Sequence, residues 1–479
     1  MKQKKIAVIG GGLGGLSAAC RLQRLGAQVT LFEKNSVLGG KAAEWRHEGY
    51  RWDMGPSLLT MPEILRELFE FCGERLEDYL TLQRIAPVCR YFWQDGSQLD
   101  EDKAFFSRPD VKRFLDYAGG IYSLSGKAFL QYPPEKFWKA FSWRNLPALR
   151  HLPKIATFSS MQTPIDRFFK DPHLRQLFGR FATYNGSSPW KAPAAFNVIP
   201  YMEAALGAWY VEGGMARLPE ALGKIAQKLG VEICLNAEVS QLDEAGLLLE
   251  SGSRQKFDFY VVNADVIEAH RRWIRFRDWE KQEAKMVRRE RSLSGLVVML
   301  GVNKRFEKLS HHNIFFSKDY RNEFEDIFQR RRLPEDPTIY VSITSHTNEQ
   351  DAPPGCDNYF ILINSPAEVE AINWESRRES LGPWIIQQLE ARGLPGLGEA
   401  VKAWRVWTPL DFAKRDASCH GALYGWASHT IKTALLRPPL RSPLNRSTYF
   451  VGGTTHPGGG VPLVLLSARM VEEKISETT

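Results

Sequence analysis

One stretch near the start, "KIAVIGGGLGGLSAACRLQRLGAQVTLFEK" from Lys5 to Lys34, limits the fold more than any other. A short β-rich run meets five glycines in six positions, then an apolar helical pattern, then a second β-rich run that stops at Glu33. The spacing predicts a strand over 5–9, a helix over 14–25 and a strand over 28–32, a β-α-β unit that demands a parallel sheet. Gly10, Gly12 and Gly15, with Gly14 between them, satisfy G-x-G-x-x-G. The first permits the tight turn, the second lets the backbone approach a pyrophosphate, and the third lets helix and strand pack closely. The free N–H groups at the helix start then face the phosphates. Glu33 stands where a carboxylate accepts bonds from ribose hydroxyls and repels a 2′-phosphate, which favours FAD or NAD over NADP. A glycine turn that binds nothing leaves Glu33 unexplained.

Gly39, Gly40 and Lys41 follow the acid at short range, and Asp53, Gly55 and Pro56 come next. A glycine pair with a cation can line the far side of a pyrophosphate, and a D-x-G-P turn can bring backbone amides to a flavin ring. A nicotinamide enzyme needs neither, so the pattern points to FAD. Taken alone, Lys41 also reads as a solvated surface lysine.

At 479 residues and 43% apolar composition, the chain can bury a large core. The usual domain size of roughly 100–200 residues implies two or three domains. No run of about 18 apolar residues is present, so membrane contact is expected to be peripheral. The net charge of +8 fits anionic surfaces or phosphate ligands without choosing between them. Cys20, Cys72, Cys89, Cys234, Cys356 and Cys419 show no C-x-x-C pair, so reduced thiols are expected and no metal site. "MKQKKIAVIGGGLGG" imitates a signal peptide, but its glycines make a poor apolar core for one.

Farther along, "VEGGMARLPEALGKIAQKL" reads as a turn at Gly213 and Gly214 and an amphipathic helix, and "FDFYVVNAD" as a buried strand ending at Asp265. "LSGLVVMLGV", "TIYVSITS" and "NYFILIN" are expected to floor a second domain, covered on both faces and with no chemistry of its own. "GIYSLSGKA" fails as a P-loop in glycine spacing and lacks Ser or Thr after Lys127. With one nucleotide fingerprint, the flavin must pass electrons to a diffusible acceptor such as oxygen or a quinone. Lys127 to Lys154 carries six Lys or Arg against one acid, interleaved with aromatic rings. Such a segment can lie in a lipid interface, although a helical cap with inward rings is the plainer reading. No nucleic-acid-binding module accompanies it.

"VIGGGLGGLSAA", "GGKAAEWRHEGYRWDMGPS", "TYNGSSPWKAPA", "WYVEGGMARLPEAL" and "VGGTTHPGGGVPLVLLSA" together resemble the bacterial phytoene desaturase family of carotenoid and apocarotenoid desaturases. The resemblance covers nearly the whole chain, and T-H-P-G-G-G-V-P is its most specific part. It departs from the family pattern at Lys41, where arginine is usual, and by the extra glycine in "GGGVP". It implies an α/β amine-oxidase-like fold: a Rossmann-like FAD-binding domain from 1–75, 207–290 and 440–479, a helical, membrane-associating subdomain over 76–190, and a mixed-sheet substrate domain from 191–206 and 291–439.

The resemblance also implies that Val239 lies beside the adenine end of FAD. It assigns the C-terminal segment to the flavin: a strand over 449–451, Gly453 and Gly460 passing close to the ring, and a helix starting at Val461 that aims its positive end at the ring. Asp171 and Arg175 match a segment considered for proton transfer, although Asp171 before Pro172 also reads as a helix cap. His456 is expected to hold the flavin turn or to act as acid or base. The implied function is introduction of conjugated double bonds into an isoprenoid hydrocarbon such as phytoene by hydride loss to flavin N5, in the cytoplasm at the inner membrane face. A hydroxycarotenoid 3,4-desaturase and a C30 diapophytoene desaturase are the near alternatives. A flavin amine oxidase and a non-enzymatic prenyl carrier are the remote ones.

Overall fold

A computed structural model of the chain describes residues 1, 3–136, 159–367 and 372–478. The β-α-β unit forms as its pattern requires: strand Lys5–Ile9, helix Leu13–Arg24 and strand Gln28–Phe32. These strands join a five-stranded parallel sheet in the order Thr448–Phe450, Phe259–Val262, Lys5–Ile9, Gln28–Phe32, Glu232–Cys234. Lys5–Ile9 is flanked on one side by its successor and on the other by a strand some 250 residues later, with Ile9 opposite both Phe32 and Val262. The glycine turn therefore leaves the sheet at a topological switch point, where open α/β sheets take their ligands.

Three helices cover one face of this sheet. Leu13–Arg24 packs between Arg217–Leu229 and the last helix, Val461–Ser476, burying Leu16, Leu22, Leu218, Leu222, Ile225, Leu465 and Ala468 in one core. The chain's final segment thus reaches the same end of the sheet as its first turn. The helix starting at Val461 is present, and the strand before it begins one residue earlier than expected.

A seven-stranded mixed sheet forms the second layer, ordered Val401–Trp407, Ser294–Val302, Asp357–Ser365, Ile339–Ile343, His312–Phe315, Arg90–Phe92, Gln98–Asp100. Its last two strands correct the expectation of a helical 76–190. Tyr91 sits beside Ile314 in the one parallel join and is fully buried there, and Leu82–Arg84 pairs with Trp209–Val211. Aromatic, half-buried side chains favour strands even in a segment that is otherwise helical.

The expectation that both faces of this sheet are merely covered also needs correction. One face packs Val298, Leu300, Val341, Ile343, Ile361 and Ile363 against Leu381, Ile385 and Leu389 of the helix Trp374–Ala391. Strand alternation turns the other residues, His312, Ile314, Tyr340, Phe360, Leu362 and Asn364, into a cavity.

Helices Pro109–Ile121, Gln162–Phe168 and Pro172–Gly179 pack around an aromatic cluster. Phe178 stacks on Phe169 at 4.7 Å and lies 4.6 Å from Phe114. Most of the basic aromatic stretch expected at a lipid interface, its residues 137–154, lies outside the described residues. Among the described residues, no helix is long and apolar enough to cross a membrane, and no cluster of metal-ligating side chains occurs. All six cysteines are free thiols.

A buried ion network ties the two layers together. Arg51 donates to Asp53 at 2.9 Å and through two nitrogens to Asp351 at 2.8 and 2.7 Å, and Asp53 also accepts the Met215 N–H at 2.8 Å. Asp53, read in the sequence as part of a flavin turn, is thus an anchor that holds the run to Gly55 and Pro56 against the second sheet.

Candidate active site

The nucleotide end is built around a residue that the sequence pattern did not single out, Asn263. It follows the strand Phe259–Val262, receives its place through N–H to the Ile9 carbonyl at 2.8 Å, and donates Nδ2 to the Gly10 carbonyl at 3.2 Å. A Cβ added at Gly10, Gly12, Gly14 or Gly452 would come within 2.5, 2.9, 2.6 and 2.8 Å of Asn263 atoms. A Cβ at Gly15 would lie 2.0 Å from the Gly10 carbonyl oxygen. Part of the glycine signature therefore serves to pack this turn on Asn263. Its only sequence signal was an asparagine at the end of a buried strand, which by default reads as a turn residue.

Glu33 is 5% exposed. One carboxylate oxygen accepts the Gly11 N–H at 2.7 Å, and the other accepts the Asn35 N–H and Nδ2 at 2.9 and 2.7 Å. These bonds orient the carboxylate at the C-terminal end of its strand and leave lone pairs for ribose hydroxyls. Val239 is buried beside Ala7, Ile9 and Phe32, and the preceding Ala237 N–H bonds the Glu33 carbonyl at 2.9 Å, so this segment flanks the acid.

The phosphate stretch fits a dinucleotide. Gly39 donates to the Gly11 carbonyl at 2.9 Å, and Gly40 packs on Gly12 so closely that a Cβ there would lie 3.4 Å from the Gly12 Cα. Helix Leu13–Arg24 starts with no side-chain cap and no acid in its first turn, which leaves its N–H groups for an anion. Lys41 departs from expectation: its Nζ donates to the Leu423 carbonyl at 3.0 Å, which reaches the cavity wall. A backbone carbonyl nearby competes for the ammonium that the sequence reading gave to the pyrophosphate.

At the flavin end, two backbone runs converge. Gly55 has no room for a Cβ, which would lie 2.0 Å from the Lys41 carbonyl oxygen, and Gly453 would place one 3.4 Å from the Gly459 Cα. Gly460, at φ 107°, is different: a Cβ there meets no protein atom within 4 Å, so the space beside it is open for a ligand. Gly55, Pro56, Gly459, Gly460 and Val461 all line one cavity of about 600 Å³. The glycine turn, the buried acid and this open space at the start of an uncapped helix fit FAD. When bound, FAD supplies a two-electron acceptor at that end of the cavity.

The three residues proposed for chemistry do not line the cavity. Asp171 is exposed and caps the helix Pro172–Gly179 by accepting the His173 N–H at 2.9 Å, while Arg175 donates to the Phe169 carbonyl at 2.7 Å. Helix capping has taken this pair to the surface, correcting the proton-transfer reading. His456 is fully buried behind the glycine turn, bonds the Tyr132 carbonyl through Nε2 at 3.2 Å, and meets the edge of Phe129 at 4.8 Å. Burial pushes its pKa down to about 4, so the imidazole is neutral and ties segment 129–132 to the turn.

Chemistry-bearing groups do reach the cavity from elsewhere. Arg180 sits between Glu101 and Glu203, 3.5 Å from each, and donates to the hydroxyls of Tyr91 at 2.6 Å and Tyr184 at 3.2 Å. Tyr184 donates to Glu203 at 2.8 Å. Arg180, Tyr184 and Glu203 line the cavity. Two buried carboxyls share one guanidinium, and burial, then the Glu203 charge, push Glu101 up to about 7, so the set favours holding a proton. On the facing sheet, the Tyr340 hydroxyl lies 2.7 Å from Ser57 Oγ and 2.8 Å from His312 Nδ1. Burial lowers the His312 pKa well below the usual imidazole value. Most of the remaining wall is apolar, including Met61, Leu130, Phe196, Ile199, Met202 and Leu423.

A mixed α/β fold with a dinucleotide turn, and one largely apolar cavity that reaches the Gly55 and Gly460 turns, defines an FAD-dependent oxidoreductase. Residues 13–355 match the family of flavin containing amine oxidoreductases, and the chain belongs to that family. Within it, the chain is 36% identical to a 1-hydroxycarotenoid 3,4-desaturase of a Flavobacterium species over 99% of both chains. It is 36% identical to a 4,4′-diapolycopene oxygenase of a Methylomonas species over 98% of both. It is also 34% identical to a 4,4′-diaponeurosporene oxygenase of Staphylococcus haemolyticus over 99% of this chain and 98% of that one. These likenesses place it in the carotenoid desaturase branch. Among solved structures, an oxidoreductase from Methanosarcina mazei superposes at TM-score 0.65 with 18% identity, covering 98% of this chain and 100% of that one. A putrescine oxidase variant superposes at 0.66 with 14% identity over 100% of both, so the fold extends to amine oxidases.

Proposed function

We propose that this chain desaturates an acyclic carotenoid, introducing a conjugated double bond at a carbon pair held against the flavin end of the cavity. The observation that carries the reading is the cavity itself: about 600 Å³, walled largely by apolar side chains and floored by the Gly55–Pro56 and Gly459–Val461 backbone. An isoprenoid chain offers no carbonyl or amine to polarise, so positioning and exclusion of water do most of the work. A carbon that loses hydride next to a polyene leaves a delocalised cation, and its neighbour then needs only a weak proton acceptor.

The Arg180–Glu203–Tyr184 and Ser57–Tyr340–His312 groups favour one substrate class over its alternatives. A pocket for pure hydrocarbon gains nothing from buried charge. A polyene with an oxygen function near the inserted end would give these groups a partner, which favours a hydroxycarotenoid over a C30 hydrocarbon. Electrons leave to oxygen or a quinone, and the basic aromatic segment 127–154 docks on the inner membrane face, from which the substrate enters.

The test is to load the protein with FAD and present it with liposomes carrying a C30 hydrocarbon, a C40 hydrocarbon and a terminally hydroxylated C40 polyene. Long-wavelength absorbance with loss of two hydrogens by mass supports desaturation. Addition of oxygen would support the oxygenase activity carried in two relatives' names. No change with any polyene, at full flavin occupancy, would sink the assignment.

A further inference from the structure

Arg437 is 5% exposed, yet among the described residues no carboxylate forms an ion pair with it. Its guanidinium is held by neutral acceptors alone: the Tyr424 carbonyl, Ser428 Oγ at 3.4 Å and the Gly453 carbonyl at 3.4 Å. Nε is buried without a hydrogen-bond partner. The group lies against Gly458, where a Cβ would approach Nη1 to 3.4 Å, and it lines the cavity together with Pro457, Gly459 and Gly460. The charged neighbours that bear on it are His456, neutral at physiological pH, and Asp265, which is too distant for an ion pair and already caps the helix Val266–Arg272.

A buried cation without an anion is costly, and removing such a charge from water is tolerated only where something compensates it. Asp265 compensates this charge only from a distance, and no described carboxylate pairs with it directly, so a direct counter-charge belongs to whatever occupies the open space beside Gly458–Gly460. We propose that Arg437 is the counter-charge for the reduced flavin. Reduction of the ring by two electrons with one proton leaves a net charge of −1, and Arg437 at the glycine turn stabilises that charge. The first helical turn at Val461 adds its partial positive charge to the same end. The effect is a flavin that accepts electrons more readily, which matters when the donor is a C–H bond with no heteroatom to assist it. This inference rests on FAD as the cofactor and does not depend on which polyene is the substrate.

Two measurements test it on the FAD-loaded full chain. In the first, the flavin midpoint potential and the FAD dissociation constant are determined for wild type, Arg437→Met and Arg437→Lys. A lower potential in the Met variant, restored largely by Lys, with FAD affinity altered by less than roughly tenfold, is the expected result. An unchanged potential overturns the inference. So does a collapse of FAD affinity with the potential of the remaining bound flavin unchanged, because that assigns Arg437 to the pyrophosphate. The second measurement needs no variant and so survives a misfolded one: proton uptake on reducing the wild-type flavin from pH 6 to 8. One proton per two electrons throughout is expected, whereas two protons would mean a neutral reduced ring with no need of a counter-charge.

Discussion

The Gly11 N–H donates to the Glu33 carboxylate across 2.7 Å, joining the glycine turn to the end of the second strand. Glu33 thus holds the shape of the turn and presents its remaining lone pairs to a ribose. Glu33→Ala removes both functions. A bond to a charged acceptor contributes about 1.5–3 kcal/mol, so FAD affinity should fall roughly 10- to 100-fold. Flavin titration of the apoprotein checks this, and unchanged affinity would exclude Glu33 from the ribose site.

Two glycines of the site should behave differently when given a methyl group. In Gly15→Ala the new Cβ would overlap the Gly10 carbonyl oxygen at 2.0 Å, backbone against backbone, with nothing flexible to yield. That variant should fail to accumulate as folded protein. In Gly460→Ala the methyl meets no protein atom within 4 Å, and only the φ of 107° opposes it, at about 1–3 kcal/mol. It should fold, and lose flavin. Soluble yield and the flavin-to-protein absorbance ratio separate the two outcomes.

The β-α-β unit was legible because each part is encoded locally: strand period, glycine spacing and terminal acid lie within thirty residues, Lys5 to Lys34. The C-terminal segment was assigned to the flavin through the family resemblance, and its strand and helix lie within one residue of the expected bounds. The polar wall was not, since Tyr91, Arg180, Glu203 and Tyr340 come from different elements and meet only through tertiary packing. Asp171 was read both as a helix cap and as a proton-transfer acid because an Asp-Pro pair serves equally as either in sequence, and the exposed helix start favours the cap. Asn263 went unread because the glycines around it were credited to the tight turn, the pyrophosphate and helix–strand packing, and none to a buried asparagine side chain.

Arg51 links the flavin layer to the second sheet through Asp53 and Asp351, all three buried. Arg51→Met leaves two carboxylates without their cation and frees the run to Gly55. Loss of one partner from a buried ionic network destabilises by about 3–5 kcal/mol. Denaturant unfolding should show a drop of that order, accompanied by weaker FAD retention. A variant as stable as wild type would mean that the network does not anchor the cavity floor.

Asp171→Ala should cost the helix Pro172–Gly179 its cap, about 1 kcal/mol, and leave turnover as in wild type. Turnover under saturating substrate is the deciding measurement. A hundredfold loss with the fold intact would return Asp171 to the chemistry.

Glu101 makes the proton held by the Arg180 cluster measurable. Its pKa is raised from 4.5 to about 7, so the folded chain binds this proton more tightly than the unfolded one. The associated stabilisation is complete below about pH 4.5 and is lost as pH rises through about 7. Glu101→Gln keeps the shape of the protonated carboxyl and does not titrate. Stability of wild type relative to this variant should therefore decline between pH 5 and 8 by an amount on the order of 2 kcal/mol. Taking the difference cancels the opposite trend from His456, whose depressed pKa weakens the fold as pH falls from 6.5 towards 4. Urea unfolding of both proteins across that range is the measurement. A flat difference would show that Glu101 is ionised throughout, with Arg180 neutralising one carboxylate and a second negative charge left beside the cavity.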